Sequence, residues 1–148
     1  MLTKILTKIL ITLDKTDRKA MTTLLFTHSP FADTTRQGIE FIENFYQNSA
    51  QSAPLNIFLY SEAVHLANRL NWLPSDTPNP VKNFQQLLAK HKLSAKVCVS
   101  TALARGIVDS ENAKRHQIDG ENLATSCELV GLGEFAMFLH NSTDVYQF

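Results

Sequence analysis

The sequence predicts a single three-layer α/β/α domain built on a mainly parallel five-stranded sheet. The chain has 148 residues, of which 44% are apolar, and a chain of that size buries roughly two-thirds of its unfolded surface as one domain. Its apolar runs are short, do not alternate with polar residues, and are separated by amphipathic stretches. That pattern is typical of parallel strands covered by helices on both faces of the sheet.

The predicted elements follow one another from Met21 onward. Short apolar runs predict strands at 22–27, 55–60 and 95–99. Apolar residues at helical spacing predict helices at 34–48, 61–69, 81–91, 102–105, 107–117 and 133–140. The predicted helix N-caps are Asp33, Ser61 and either Ser100 or Thr101. Three of the five prolines make 71–80 a loop, 126–130 fits a short strand or a helix start, and 144–148 fits an edge strand.

Charge is divided unevenly between the first twenty residues and the rest of the chain. Residues 1–20 carry five basic and two acidic side chains, whereas residues 21–148 carry nine basic and twelve acidic ones. An acidic body without a basic stripe is a poor footprint for nucleic acid, so direct RNA binding is not expected. Two cysteines without a CxxC pair predict neither a disulfide framework nor a zinc site. No apolar run approaches the length of a membrane span, so we expect a cytoplasmic protein.

Residues 1–20 form a predicted N-terminal extension to a domain that covers residues 21–148. One interpretation is a basic amphipathic helix on a membrane surface, and a second is a disordered tail. A third is a misassigned start, with translation beginning at Met21. The helical spacing is carried by Leu2, Ile5, Leu6, Ile9 and Leu13.

Polar residues gather where the predicted strands end, and this edge of a parallel sheet is where functional groups meet. His28 follows the first strand, Tyr60 follows the second, and Cys98 ends the third. Because Cys98 also precedes a predicted helix, the partial positive charge of that helix would stabilise its thiolate. A cysteine between two valines is more often a small buried apolar residue, so both interpretations stay open on these residues alone.

The other candidate signals are weaker. Cys127 precedes no clear strand-to-helix turn, so we expect a buried core residue. The five histidines form no metal motif, and His28 and His65 are expected to be polar surface residues. Residues 131–133 (Gly-Leu-Gly) lack the rest of a dinucleotide fingerprint and are expected to serve a tight turn or close helix packing. Trp72, in the proline-rich loop, is either an anchor for a partner or a lid over the core.

Several segments share one pattern with a known family. The most specific is residues 97–109, Val-Cys-Val-Ser-Thr-Ala-Leu-Ala-Arg-Gly-Ile-Val-Asp, which contains Cys98. The Gly-Leu-Gly at 131–133 and the terminal Asp-Val-Tyr-Gln-Phe support it, as do residues 24–27 and 59–68. Over residues 21–148 the chain resembles the DsrE/DsrF-like small sulfurtransferases, and among them the sulfur-relay branch of TusD-like chains.

The resemblance implies a covered parallel sheet and a role in 2-thiolation of the wobble uridine of tRNA. Cys98 would carry sulfur as a persulfide, accepted from a TusA-like donor and passed to a TusE-like acceptor. TusB- and TusC-like subunits would assemble with the chain as a dimer of heterotrimers, and no cofactor or metal is implied. We expect Ser100, Thr101 and the backbone N–H groups after Cys98 to hold the persulfide anion, with His28 or Tyr60 nearby.

Two other classes of protein remain as alternatives. A non-catalytic scaffold subunit of a DsrE-like complex would shape the assembly while a partner supplies the chemistry. A flavodoxin-like module would bind a nucleotide or a flavin, but the sequence contains no glycine-rich phosphate loop. The setting of Cys98 favours the sulfur carrier over both alternatives.

Overall fold

Five parallel strands form one sheet at the centre of the protein. The computed structural model describes residues 20–48 and 55–148. The strands are β1 (Thr22–Phe26), β2 (Leu55–Leu59), β3 (Ala95–Cys98), β4 (Cys127–Val130) and β5 (Asp144–Gln147). Their order is β4-β3-β2-β1-β5, and every neighbouring pair is parallel. The predicted α/β class and five-stranded sheet are confirmed, with β4 a strand and β5 at an edge.

Helices connect the strands in the described part of the chain. They are α1 (Asp33–Asn48), a 3-10 helix (Ser61–Ala67), α2 (Pro80–Lys90), α3 (Val99–Ala104), α4 (Ser110–His116) and α5 (Leu132–Asn141). Asn79 caps α2 by accepting the backbone N–H of Lys82, and Pro80 takes the first helical position. Asp109 caps α4 in the same way, with the N–H of Asn112 as donor. Local polar signals therefore fix these two helix starts.

Three predicted helix starts differ from the structure. Ser61 does not cap the 3-10 helix, because Tyr60 takes the N-cap position and Ser61 has a φ of 54°. The helix after β3 begins at Val99, so that Cys98 is its N-cap in place of Ser100 or Thr101. After β3 the strand passes straight into the helix at Cys98, whereas after β2 the single residue Tyr60 lies between the strand and the 3-10 helix. The helix α1 begins at Asp33 itself.

One face of the sheet carries the hydrophobic core. The register places Leu24 beside Ile57 on this face, and both side chains are fully buried. The ring of Phe26 lies 5.8 Å from that of Phe84 on α2 and 5.5 Å from that of Phe148. Aromatic and aliphatic side chains thus pack α1 and α2 onto the sheet, with burial as the main stabilising force.

Gly38 lets α1 approach this core closely. A Cβ at this position would stand 2.7 Å from Cζ of Phe26 and 2.8 Å from Cγ of Phe148. Both distances are shorter than van der Waals contact between carbon atoms. The absence of a side chain at Gly38 is therefore what lets the helix lie directly on the two rings.

The opposite face of the sheet is covered by α5. The ring of Phe58 on β2 lies 4.8 Å from that of Phe135 and 6.5 Å from that of Phe138. No residue of α5 is fully buried, and Leu132 and Met137 are among the exposed large apolar side chains. The second helical layer is thin, and α5 presents an apolar outer surface.

Gly131 and Gly133 flank the start of α5 without being required there. Gly131 has a φ of −77°, and a Cβ at either glycine would meet no described atom within 4 Å. The expectation of close helix packing at 131–133 is therefore wrong, whereas a tight turn is present, since Gly131 is the single residue between β4 and α5. The strand leads into α5 through ordinary extended backbone that any residue adopts.

None of the described helices is long and apolar enough to cross a membrane. The predicted N-terminal extension, apart from Ala20, lies outside the described residues.

Candidate functional site

Cys98 lies at the junction between a strand and a helix. It is the last residue of β3 and the N-cap of α3. Because successive strand residues point to opposite faces, Val97 belongs to the core cluster whereas Cys98 belongs to the face that α5 partly covers. Cys98 is only 1% exposed, yet it is absent from the core cluster. The thiol therefore lies just beneath the surface at the carboxyl edge of the sheet.

Two hydroxyl residues of α3 surround the thiol. The Sγ of Cys98 is 3.4 Å from the Oγ of Ser100, and Thr101 donates its hydroxyl to the Cys98 carbonyl at 3.2 Å. Burial by itself raises the pKa of the Cys98 thiol, because it disfavours the charged form. Hydrogen bonds from the side chains and backbone N–H groups of Ser100 and Thr101 outweigh burial and leave the pKa below its ordinary value. The arrangement favours the thiolate.

Cys127 has the opposite environment. It is the first residue of β4 and belongs to the hydrophobic core cluster. Burial raises the pKa of its thiol to about 12, so that it stays protonated at neutral pH. The expectation that Cys127 is a buried core residue is confirmed by this placement.

Tyr60 lies at the same edge of the sheet as Cys98. It follows Leu59, which pairs in register with Val97, so Tyr60 stands level with Cys98 on the neighbouring strand. Its backbone is extended, with φ of −138° and ψ of 158°, and its side chain is exposed. This places Tyr60 on the same face of the sheet as Cys98.

His28 lies farther away, beyond the end of β1. Since β2 separates β1 from β3, His28 is about 10 Å from the Cys98 strand by the ordinary spacing of strands. Its ring Nδ1 is 3.2 Å from the Oγ1 of Thr27, and its side chain is exposed. The structure thus brings Ser100 and Thr101 to Cys98, keeps Tyr60 beside it, and leaves His28 at a distance.

Glu62 and Arg105 are a pair that the sequence did not reveal. The Oε1 of Glu62 accepts hydrogen bonds from the Nε of Arg105 at 2.8 Å and from its Nη2 at 2.7 Å. The Nε2 of His65 lies 3.8 Å from the other carboxylate oxygen. Glu62 was visible as a polar residue at a strand end, but no spacing signal connects it with a partner 43 positions later.

Neither cysteine belongs to a metal centre in the described residues. Across residues 20–48 and 55–148, no three His, Cys, Asp or Glu side chains converge in a way that could hold an ion. What this site offers chemically is a single thiol with a lowered pKa and with hydroxyl and N–H donors around it.

Fold and site together define a class of small α/β proteins that hold a cysteine where a parallel strand of the sheet meets a helix. The family model of DsrE/DsrF-like proteins matches residues 21–148. The chain belongs to the DsrE/DsrF-like family, which is linked to sulfur transfer. The resemblance carried by residues 97–109 is confirmed at the level of the family.

Two solved structures are similar to this one. The YchN protein of Escherichia coli matches with a TM-score of 0.66 and 18% identity, over 87% of this chain and 99% of that chain. A protein of unknown function from Methanobacterium thermoautotrophicum matches with a TM-score of 0.58 and 13% identity, over 89% of this chain and all of that chain. At these identities the likeness establishes the fold.

Proposed function

We propose that the protein is a sulfurtransferase that carries sulfur as a persulfide on Cys98. The observation that carries this proposal is the contrast between the two thiols. Hydrogen bonds lower the pKa of Cys98 at the edge of the sheet, whereas burial raises the pKa of Cys127 to about 12. Because the thiolate is the nucleophile in sulfur exchange, Cys98 is the thiol equipped for it.

The transfer needs no external oxidant. The Cys98 thiolate attacks the outer sulfur of a donor persulfide and forms a new S–S bond. The S–S bond of the donor breaks, and the donor cysteine leaves as a thiolate that takes up a proton. An acceptor thiolate then attacks the outer sulfur on Cys98 and releases Cys98 as the thiolate. Each step breaks one S–S bond and forms another, so the sulfur atoms undergo no net oxidation or reduction.

The residues around Cys98 have distinct roles in this proposal. The hydroxyl of Ser100 is within reach of the thiol sulfur, and Thr101 fixes the backbone of the junction through the Cys98 carbonyl. Together with their backbone N–H groups they hold the anionic persulfide. Tyr60, level with Cys98 on the next strand, borders the approach of the donor. The position of His28 gives it no contact with Cys98.

The sulfur would belong to a relay for 2-thiolation of the tRNA wobble uridine in the cytoplasm. In this role the chain is TusD-like, with a TusA-like donor and a TusE-like acceptor. Support comes from the family and from the segment around Cys98. The acidic charge of residues 21–148 also suits transfer between proteins better than direct contact with tRNA.

Assembly with TusB- and TusC-like subunits is part of the same proposal. The outer surface of α5 supports it, because Leu132 and Met137 are 53% and 59% exposed on a helix without a buried residue. Apolar surface of this kind is typical of subunit contacts. Met137→Glu should abolish the complex with co-expressed partners on size exclusion, and Lys114→Glu on α4 is the surface control. A complex unchanged by Met137→Glu would remove α5 from the interface.

A scaffold subunit is the second candidate function. The 1% exposure of Cys98 favours it, because attack on a donor sulfur requires access to the thiol. Ser100, at the start of α3, is exposed. In the sulfur-carrier proposal, the Cys98 thiol therefore lies only a short distance below the protein surface. In the scaffold, Cys98 would stay unmodified in the assembled complex.

Peptide mass spectrometry after incubation with a persulfide donor tests the proposed function. We expect one added sulfur on the Cys98 peptide of the wild-type protein and none on Cys127. Cys98→Ser should abolish loading, and Cys127→Ala, the matched control, should retain it. An unmodified Cys98 in the folded protein with partners present would establish the scaffold instead.

A further inference from the structure

A cleft of about 790 Å³ lies between the proline-rich loop and the first turns of α2. Trp72 lines this cleft, and its side chain is 78% exposed. Leu70, two residues earlier, is 62% exposed. Trp72 is therefore not a lid over the core, and the alternative expectation, an anchor for a partner, remains. Large apolar side chains held so far into solvent are typical of binding surfaces, where tryptophan is an enriched anchor.

One residue of the cleft lining, Asn71, has a buried oxygen without a partner among the described residues. The Oδ1 of Asn71 is buried and accepts no hydrogen bond from any described residue, and Asn71 lines the cleft. The neighbouring amide is satisfied, since the Nε2 of Gln85 donates to the carbonyls of Leu66 at 3.0 Å and Asn68 at 3.1 Å. Because this oxygen is enclosed by the protein, it offers no group to a molecule in the cleft.

The charge at the cleft is positive, in contrast to the rest of the body. Arg69 and Lys82 line it, and neither forms an ion pair within the described residues. The Nη2 of Arg69 donates to the carbonyl of Glu121 at 2.7 Å, which orients the guanidinium but leaves its charge uncompensated. Asp76, the one acidic residue of the segment 68–86, is not part of the lining. The complement of this surface is an anionic group.

We propose that this Trp72 cleft is a docking site for an acidic segment of a partner protein. An apolar side chain of the segment packs on Trp72, and a carboxylate lies between Arg69 and Lys82. A peptide segment supplies both groups along one chain. A small molecule seated in the cleft would leave Leu70 and the outer face of Trp72 in solvent.

The cleft is connected to Cys98 through the 3-10 helix. That helix has seven residues, from Ser61 beside Tyr60 to Ala67 beside Asn68, which span about 14 Å at its usual rise. In a partner docked at the cleft, a cysteine only a few residues along the chain from the docked segment therefore reaches Cys98. This connection to sulfur exchange rests on the proposed function, whereas the docking itself does not.

Trp72 is the only tryptophan of the chain, so its fluorescence reports on this cleft alone. The probes are short peptides in which aspartate and glutamate flank leucine or valine, and the same peptides with lysine in place of each acid. We expect the acidic set to shift the emission to the blue with saturation, and the shift to weaken at high salt. Arg69→Gln with Lys82→Gln should weaken binding several-fold, while Lys114→Gln with Arg115→Gln, on α4, should leave it unchanged.

Three outcomes would overturn the docking site. The first is an equal response to the lysine peptides. The second is undiminished binding by the Arg69 and Lys82 variant when its circular dichroism is unchanged. The third is an equal shift with free glutamate, which would indicate a small-molecule site. The titration is repeated with Cys98→Ser, which should bind as the wild type does. Docking without sulfur loading on Cys98 would then refute the sulfur carrier and leave the docking site standing.

Discussion

The carboxylate of Glu62 binds the guanidinium of Arg105 through a single oxygen, with 2.8 Å to Nε and 2.7 Å to Nη2. The Nη1 of Arg105 also donates to the carbonyl of Thr101 at 3.4 Å. The ion pair between Glu62 and Arg105 joins the 3-10 helix after β2 to α3 after β3. The helix α3 supplies the hydrogen-bond donors to Cys98. The pair thereby holds the two elements that border the thiol in fixed positions.

Glu62→Gln should weaken this connection and raise the pKa of Cys98, because α3 would present its donors less firmly. We expect the neutral-pH rate of Cys98 alkylation to fall, with a change in unfolding free energy of no more than about 1 kcal/mol, since the pair is partly exposed. The pH dependence of the iodoacetamide rate measures the effect. Glu111→Gln, which breaks the exposed pair with Arg115, is the control. An unchanged pH profile would show that the pair does not position α3.

Ser100→Ala should lower the reactivity of Cys98 at neutral pH. The Ser100 side chain is the largest of the contributions that lower the pKa of this thiol, so its loss raises the pKa and reduces the thiolate fraction. We expect several-fold slower alkylation at pH 7 and a small difference well above the pKa, where the thiol is ionised in both proteins. Ser100→Thr keeps a hydroxyl and should restore part of the rate. Equal rates for wild type and Ser100→Ala at pH 7 would exclude this role.

Cys127 should make the protein less stable as the pH rises from about 9 to about 12. In the unfolded chain this thiol ionises near its ordinary pKa, whereas the folded chain keeps the proton until about pH 12. Folding therefore loses about 1.4 kcal/mol per pH unit in this window. Denaturant unfolding at several pH values should show this slope in the wild type and its reduction in Cys127→Ala.

Cys98→Ser is the control for this slope. Because the folded pKa of Cys98 is lowered, its thiolate adds stability above the unfolded pKa, and that contribution is lost as the pH falls through the folded pKa. Removing Cys98 should therefore leave the alkaline loss of stability in place. A wild-type slope that persists in Cys127→Ala would assign the loss to other groups.

Gly38→Ala should destabilise the protein despite the higher helix propensity of alanine. The propensity gain is about 1 kcal/mol, but the new Cβ would stand 2.7 Å from Cζ of Phe26. Overpacking of a core costs about 1–3 kcal/mol, and the net change in unfolding free energy should be negative. Chemical denaturation measures it, with Gln37→Ala on the exposed side of α1 as the control. A stabilised Gly38→Ala protein would show that the two rings move aside without cost.

The fold was predictable because burial on both faces leaves a direct mark on a sequence. The runs that form β1, β2 and β3 are mostly apolar without strict alternation, and the amphipathic stretches between them place the helices. The helix α3 was placed too late because the prediction assumed a polar cap. In the structure the strand turns into the helix at Cys98 itself, without a side-chain cap, so no polar cap residue marks this start in the sequence.

The candidate site was predictable only in part. That Cys98, Ser100 and Thr101 are neighbours follows from their numbers, and that Tyr60 ends an adjacent strand follows from the parallel sheet. The pairing of Glu62 with Arg105 spans 43 positions and left no periodic trace. The cleft at Trp72 likewise depends on how the loop lies against α2, which proline content alone does not determine.

The sequence by itself determined the class of the fold, the position of Cys98 at the carboxyl edge of the sheet, and membership of a family linked to sulfur transfer. These properties depend on residue order and on local periodicity. Only the tertiary structure decided in which direction the pKa of each cysteine departs from its ordinary value. Strand register turned Cys127 into the core and Cys98 away from it, and burial in the core raises the pKa of a thiol because it disfavours the charged form.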